Sequence, residues 1–175
     1  VVPADRSDLE ALHARMSREA RYLRYFSART RLPQAELDRA ANVDYRTRMA
    51  FVAFVQGRLA AYACYVGREE SDSAEVAFQV EDAHQGRGLG TLLLERLAAY
   101  GHAHGLRRFV ASVLPHNRRM IDVFREAGFP RSAACEGGVL EVTLEIDPTR
   151  HSRAAMERRH AAALARARAR LADSR

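Results

Sequence analysis

The feature that most constrains this chain is a run of alternating glycines, Gly86-Arg87-Gly88-Leu89-Gly90, set between two different periodicities. Before it, Ala74 to Val80 reads as a strand; after it, apolar residues from Leu89 to about His104 recur as they do on a helix. A strand that passes through glycines into a helix must turn tightly. The turn leaves the first helical N–H groups unpaired at the positive end of the helix dipole, a place that favours phosphate. A chain organised around such a unit is expected to layer helices on a sheet and to hold an anionic ligand at the loop.

Composition narrows the kind of loop. All 28 basic residues are arginine, and lysine is absent. A P-loop lysine, a Schiff-base lysine and a pyridoxal anchor are therefore excluded. A dinucleotide fingerprint also fails. Thr91 stands where its third glycine belongs, and Leu114-Pro115-His116 follows the next strand where an acid is needed. At 175 residues, 47% hydrophobic and 29% charged, the chain is a globular protein with room for one core.

The net charge of +6 suggests nucleic acid until it is located. Residues 1–150 hold 21 arginines and 20 acids, whereas residues 151–175 hold 7 arginines and 2 acids. The charge belongs to the tail. That tail lacks interleaved aromatics, so nucleic acid is not the expected partner, nor is a membrane, since no apolar run is long enough to cross one. Cys64 and Cys135 follow no disulfide or metal-site spacing, and neither do His84, His102, His104 and His116. No metal is expected, and a cytoplasmic location is. The chain opens on Val1 and reads as a piece of a longer protein, with a body at 1–150 and a basic helix or linker at 151–175.

Along the body, Val1-Val2 reads as a strand stub ended by Pro3. Ser7 reads as the cap of a helix from Asp8 to about Met16, with Leu9, Ala11 and Met16 on its apolar side. Ser17 caps a second helix crowded with Tyr22, Leu23, Tyr25 and Phe26 between Arg18, Arg21 and Arg24; Pro33 opens a third, through Ala40. Met49–Val55 and Arg58–Val66 are strands joined by a Gln56-Gly57 turn, and Ala74–Val80 is a third. After the glycine loop and its helix come a strand at Arg108–Leu114, a helix at Arg118–Ala127 stopped by Gly128, and a strand at Val139–Ile146. Residues 151–172 form a helix, with Met156, His160, Leu164, Ala167 and Leu171 near one face. The fold class is α/β (α+β), a central, mostly antiparallel mixed sheet flanked by helices, plus the Arg/Ala-rich C-terminal helix.

Gln85-x-x-Gly88-x-Gly90 resembles the Arg/Gln-x-x-Gly-x-Gly/Ala motif of the GNAT superfamily of acyl-CoA-dependent N-acyltransferases. Ala74 to Phe78, Leu114-Pro115-His116-Asn117 and Phe124-x-x-Ala127-Gly128-Phe129 stand in the matching order, over about residues 49 to 146. More narrowly, Ser17 to Phe26 and Ala74 to Gly90 are similar to bacterial protein lysine acetyltransferases that modify acyl-CoA synthetases. The resemblance implies acetyl-CoA as acyl donor, with its pyrophosphate on the backbone amides of Gly86, Arg87, Gly88, Leu89, Gly90 and Thr91. It implies Gln85 in the same motif, the backbone of Phe78, Gln79 and Val80 along the pantetheine arm, and Asn117 as a further contact. Asn117 also directly precedes a helix, and capping is its other reading.

The implied reaction is attack of a protein lysine amine on the thioester carbonyl, with Glu75 as general base. An ammonium of pKa about 10.4 is no nucleophile at neutral pH, so a base is required. A carboxylate on an apolar strand is expected to be partly desolvated. Glu69, Glu70, Glu81 and Asp82 are read as a solvated surface or a substrate rim. Where many family members carry a proton-donating tyrosine this chain has Phe124, which leaves water or a group such as His116 for that role; Tyr62, Tyr65 and Tyr100 are read as core. A small-molecule amine as acceptor, or a non-catalytic acyl-CoA-sensing module, remain alternatives.

Overall fold

The structure, a computed structural model, describes residues 1–27, 29–67 and 70–173, with side chains as far as residue 165. Its centre is a six-stranded sheet in the order β1-β2-β3-β4-β6-β5. The strands are β1 Arg48–Val55, β2 Arg58–Gly67, β3 Ser73–Val80, β4 Arg108–Val113, β5 Arg131–Glu136 and β6 Val139–Glu145. The helices are α1 Arg6–Arg15, α2 Arg18–Tyr25, α3 Gln34–Ala41, α4 Leu89–Ala103, α5 Arg118–Ala127 and α6 Arg150–Asp173. None of them is long and apolar enough to cross a membrane.

The alternation of the strands divides the core in two. Met49, Ala61, Ala63, Tyr65 and Val76 face α4 and α5, where Leu93, Leu94, Leu97 and Phe124 complete one cluster. Ala50, Leu59 and Tyr62 face the other way, onto Leu9, Leu12, Leu37 and Ala41 of α1 and α3. The body is thus a sheet with a helical layer on each face, as its strand and helix order implies.

One junction in the sheet is incomplete. β3 and β4 are parallel and pair only at Ser73–Arg108, Ala74–Phe109 and Glu75–Val110. Beyond Glu75 the two strands separate. β3 keeps its antiparallel ladder to β2 as far as Val80, so its other edge is open from Val76 onward.

Several local expectations are corrected. Val1-Val2 is not a strand; a short 3₁₀ turn at Pro3–Asp5 runs directly into α1, which starts at Arg6 rather than after Ser7. Leu12, left off the apolar side of that helix in the sequence reading, is fully buried. β5 is an added strand. Its residues, Arg-Ser-Ala-Ala-Cys-Glu, are exposed at every position, so no hydrophobic alternation marks it. Its one signal is Gly137-Gly138, the turn that pairs it with β6. On α6 the packing face is Ser152, Ala155 and Arg159, not Met156 and Leu164, which are exposed. Arg159 bonds the buried Glu95 of α4 and the Glu126 carbonyl of α5. Ala167 and Leu171 have side chains outside the described residues.

Candidate active site

A cleft of about 500 Å³ occupies the gap between β3 and β4 and opens toward both helical layers. One wall is the glycine loop with the N-terminal ends of α4 and α5. Its opposite wall is α2, through Leu23, Arg24, Tyr25 and Phe26.

The loop is held open by specific bonds. Gln85 Nε2 donates to the Val80 carbonyl at 3.0 Å, and Arg119 of α5 donates to Gln85 Oε1. Gln85 therefore braces the end of β3 against α5, which explains the place of this residue at the head of the motif. Gly88 is the N-cap of α4 at φ +83°, a left-handed conformation that side chains adopt with strain. Gly90 has a different reason: a Cβ there would come within 3.1 Å of Val123, so the start of α4 packs closely on α5. Thr91 is buried, and its hydroxyl has no hydrogen-bond partner among the described residues. Unpaired helical amides, a buried hydroxyl and the dipole end converge here, and they suit a phosphate group.

The β3 edge supplies the second element. Glu81 N–H donates to the Ala60 carbonyl, and Arg107 N–H donates to the Asp72 carbonyl across the β4 side. Antiparallel pairing alternates the direction of backbone groups. Val76, Phe78 and Val80 thus turn theirs toward the gap, whereas Gln79 turns its own toward Tyr62 of β2. Gln79 differs from its expected part in the site. It contributes a buried side chain bonded to the Tyr25 hydroxyl instead of backbone groups along the cleft.

Glu75 is the last residue of the short β3–β4 pairing and lines the cleft at the point where the strands part. It is exposed, so the burial expected of a carboxylate on an apolar strand is not realised. Asn117 Oδ1 accepts from the Met120 N–H at 3.1 Å and so caps α5, while the residue still lines the cleft and its amide nitrogen remains available as a donor. Phe78, Val80, Gly86, Leu89 and Gly90 line the cleft as well. Arg87 does not; its side chain is exposed and bonded to His84 Nδ1 at 2.9 Å.

The competing acids are resolved by their partners. Glu81 is buried and pairs with Arg15 at 3.1 Å and Arg58 at 3.3 Å. Asp82 accepts from the Ser17 amide and hydroxyl at 2.9 and 2.6 Å. Glu81 is thus no solvated rim, while Asp82 stays exposed at the surface as expected; together they tie α1 and α2 to the end of β3. Glu70 is exposed, and Glu69 lies outside the described residues. Phe124 is buried edge-on to Phe78, and His116 is not among the residues lining the cleft. Tyr62 and Tyr65 are core, as expected; burial pushes the Tyr65 phenol up to about 12.

The wall formed by α2 was not assigned from sequence, although Ser17 to Phe26 stood out there. Ser17 accepts from the Ala20 N–H at 3.1 Å and caps the helix. Tyr22 and Phe26 are 42% and 40% exposed at its open side. Burial pushes the Tyr25 phenol up to about 12, so it keeps its proton through the neutral range.

Comparison with known proteins gives a consistent result. The model of the acetyltransferase (GNAT) family matches residues 14–129. The GNAT domain of S. lividans PAT superposes with a TM-score of 0.77 at 35% identity, covering 83% of this chain and 87% of that one. The acetyltransferase Pat of Mycolicibacterium smegmatis is 34% identical over 115 residues, 64% of this chain and 34% of the relative. Acetyltransferase PA5475 of Pseudomonas aeruginosa is 29% identical over 119 residues, 66% of this chain and 64% of the relative. The matches thus span less than two thirds of these curated relatives.

Proposed function

Because the chain belongs to the GNAT acetyltransferase family, we propose that it transfers an acetyl group from acetyl-CoA to the ε-amine of a lysine on a protein, an acyl-CoA synthetase being the favoured acceptor. The observation that carries the reading is the parting of β3 and β4 at Glu75, which sets a carboxylate where a strand-like ligand in the gap would end. The residues present suit the donor. The amides of Gly86, Arg87, Gly88, Leu89, Gly90 and Thr91, with the unpartnered Thr91 hydroxyl, would hold its diphosphate. The Val76 carbonyl, the backbone of Phe78, the Val80 N–H and the Asn117 amide would hold its extended arm.

When bound, acetyl-CoA supplies an activated thioester carbonyl and a thiolate leaving group. Glu75 removes one proton of the incoming ammonium, directly or through one water; the freed amine forms the new N–C bond as the C–S bond breaks, the sulfur leaves as thiolate, and the nitrogen gives its second surplus proton to water. Its exposure puts the carboxylate within reach of an acceptor arriving from the α2 side. Phe124 offers no proton at this end of the cleft; a thiol of ordinary pKa, about 8.5, leaves without one. A protein acceptor is supported by the sequence likeness of residues 17–26 and 74–90 to protein lysine acetyltransferases. It is also supported by the open α2 mouth with its exposed Tyr22 and Phe26.

Glu75→Gln tests the assignment. It is expected to lower kcat by about 10²-fold or more, the usual scale of a lost general base, while acetyl-CoA affinity measured by calorimetry is kept. Near-normal turnover removes Glu75 from the role. Transfer to small amines with none to any protein overturns the acceptor.

A further inference from the structure

The acceptor wall contains a cation with no ion-pair partner among the described residues. Arg24, in the last turn of α2, lines the cleft with Glu75 and Gln79. Its guanidinium carbon lies 4.8 Å from the centre of the Tyr25 ring. Its Nε is buried without a hydrogen-bond partner, and the guanidinium forms no ion pair among the described residues. Glu75 shares the cleft without forming an ion pair to Arg24, and the other acids around the wall are already engaged. Glu36 pairs with Arg29, Glu81 with Arg15 and Arg58, and Asp82 with Ser17.

Arg24 stands over the same stretch of floor as Glu75. The face of the sheet beneath α2 is made by Glu75, Ala77 and Gln79 of β3 and by Cys64 and Tyr62, which pair with Ala77 and Gln79 across the ladder. Burial pushes the Cys64 thiol up; Arg24 and the Tyr62 hydrogen bond pull it back down, and Glu75 pushes it up further. A partly buried guanidinium without an anion is costly, and native structures pair nearly all such groups. The missing partner therefore arrives with the acceptor.

The chemistry of the group defines that partner. A planar guanidinium beside an aromatic ring is matched by a carboxylate, which it can bind through two parallel hydrogen bonds. The rest of α2 strengthens the preference: Arg18, Arg21 and Arg24 face a single acid, Glu19, in the helix. We propose that Arg24 is an acceptor-specificity residue, forming a carboxylate subsite that binds an aspartate or glutamate flanking the lysine to be acetylated. The inference rests on the reading of a protein lysine as acceptor.

The test uses peptides with a single lysine, flanked within two residues by Glu, Gln or Arg, and acetyl-CoA as donor. Wild-type protein is expected to favour Glu over Gln peptides by about tenfold in kcat/KM, chiefly through KM, the scale of one charge-assisted hydrogen bond. The ratio is expected to fall to about one in Arg24→Gln and to turn toward Arg-flanked peptides in Arg24→Glu. Fluorescence anisotropy of labelled Glu and Gln peptides, without acetyl-CoA, should show the same ordering of affinities. Equal use of Glu and Gln peptides by the wild type overturns the subsite without any variant. So does a preference that survives Arg24→Gln. A preference for succinyl-CoA over acetyl-CoA that Arg24→Gln abolishes also overturns it, since the carboxylate would then belong to the acyl chain. Failure of every peptide while small amines react sinks the protein-acceptor reading and the subsite together.

Discussion

The two walls of the cleft are built by different means. The donor wall is made of backbone: glycines in a turn, the free amides of a helix start and the open edge of β3, with Gln85 as their brace. The α2 wall is made of side chains, Arg24, Tyr25 and Phe26, on a helix tied down by Ser17, Asp82, Glu81 and Arg15. A wall of backbone recognises what every donor molecule shares. A wall of side chains can change one residue at a time and so carries selectivity.

The largest effect that can break this contrast is expected at Gly88. A β-branched residue at φ +83° stores roughly 1–3 kcal/mol of strain, so Gly88→Val is expected to weaken acetyl-CoA binding by about five- to a hundredfold. Affinity for the acceptor peptide measured without donor should change little. Calorimetry with acetyl-CoA checks the first, anisotropy the second; equal losses in both would mean that the walls are one unit.

A smaller effect belongs to Ser17. Ser17→Ala removes the α2 cap and the bond to Asp82, and is expected to cost about 1 kcal/mol of stability in urea unfolding. It should raise KM for the acceptor more than KM for acetyl-CoA. The reverse order would make α2 part of the donor site.

The smallest is a pH dependence. His13 is buried beneath α2, with the Tyr25 ring edge at 5.5 Å. Burial holds its pKa below the ordinary imidazole value and Arg21 adds to the shift, while the Arg29 backbone and Glu36 oppose it. The unfolded chain therefore takes up a proton more readily than the folded one. The stability contributed by neutral His13 is present above about pH 6.5 and is lost as pH falls. Unfolding at pH 7.5 and 5.5 should show that loss in the wild type and a shallower one in His13→Leu.

The donor wall was legible in sequence because its signals are local. Glycines at 86, 88 and 90 and Gln85 sit within six residues, and their spacing alone describes a turn. The α2 wall depends on contacts across the chain, such as Ser17 with Asp82 and Gln79 with Tyr25, which no local pattern announces. Glu81 departs from the surface reading for that reason: an acid in a loop looks solvated until its arginine partners are brought up from other elements, whereas Asp82 is exposed as read. The alternation of β3 was visible, but not which side of it had lost its neighbour; this is why Gln79 was given a backbone role. β5 carries its small apolar residues, Ala133, Ala134 and Cys135, in a row rather than in alternation, and all are exposed.

The separation of β3 and β4 has a metric consequence. Five residues, Val76 to Val80, lie between the last paired position and the mouth of the glycine loop. At the rise of an extended strand they span roughly 16 Å. The open edge is thus a gauge with an anion-binding stop at one end and a carboxylate at the other. Under the proposed function it would select donors by the distance between their phosphate and their reactive carbon: one too short would not reach Glu75 with its charge on α4, and one too long would have to buckle out of the sheet.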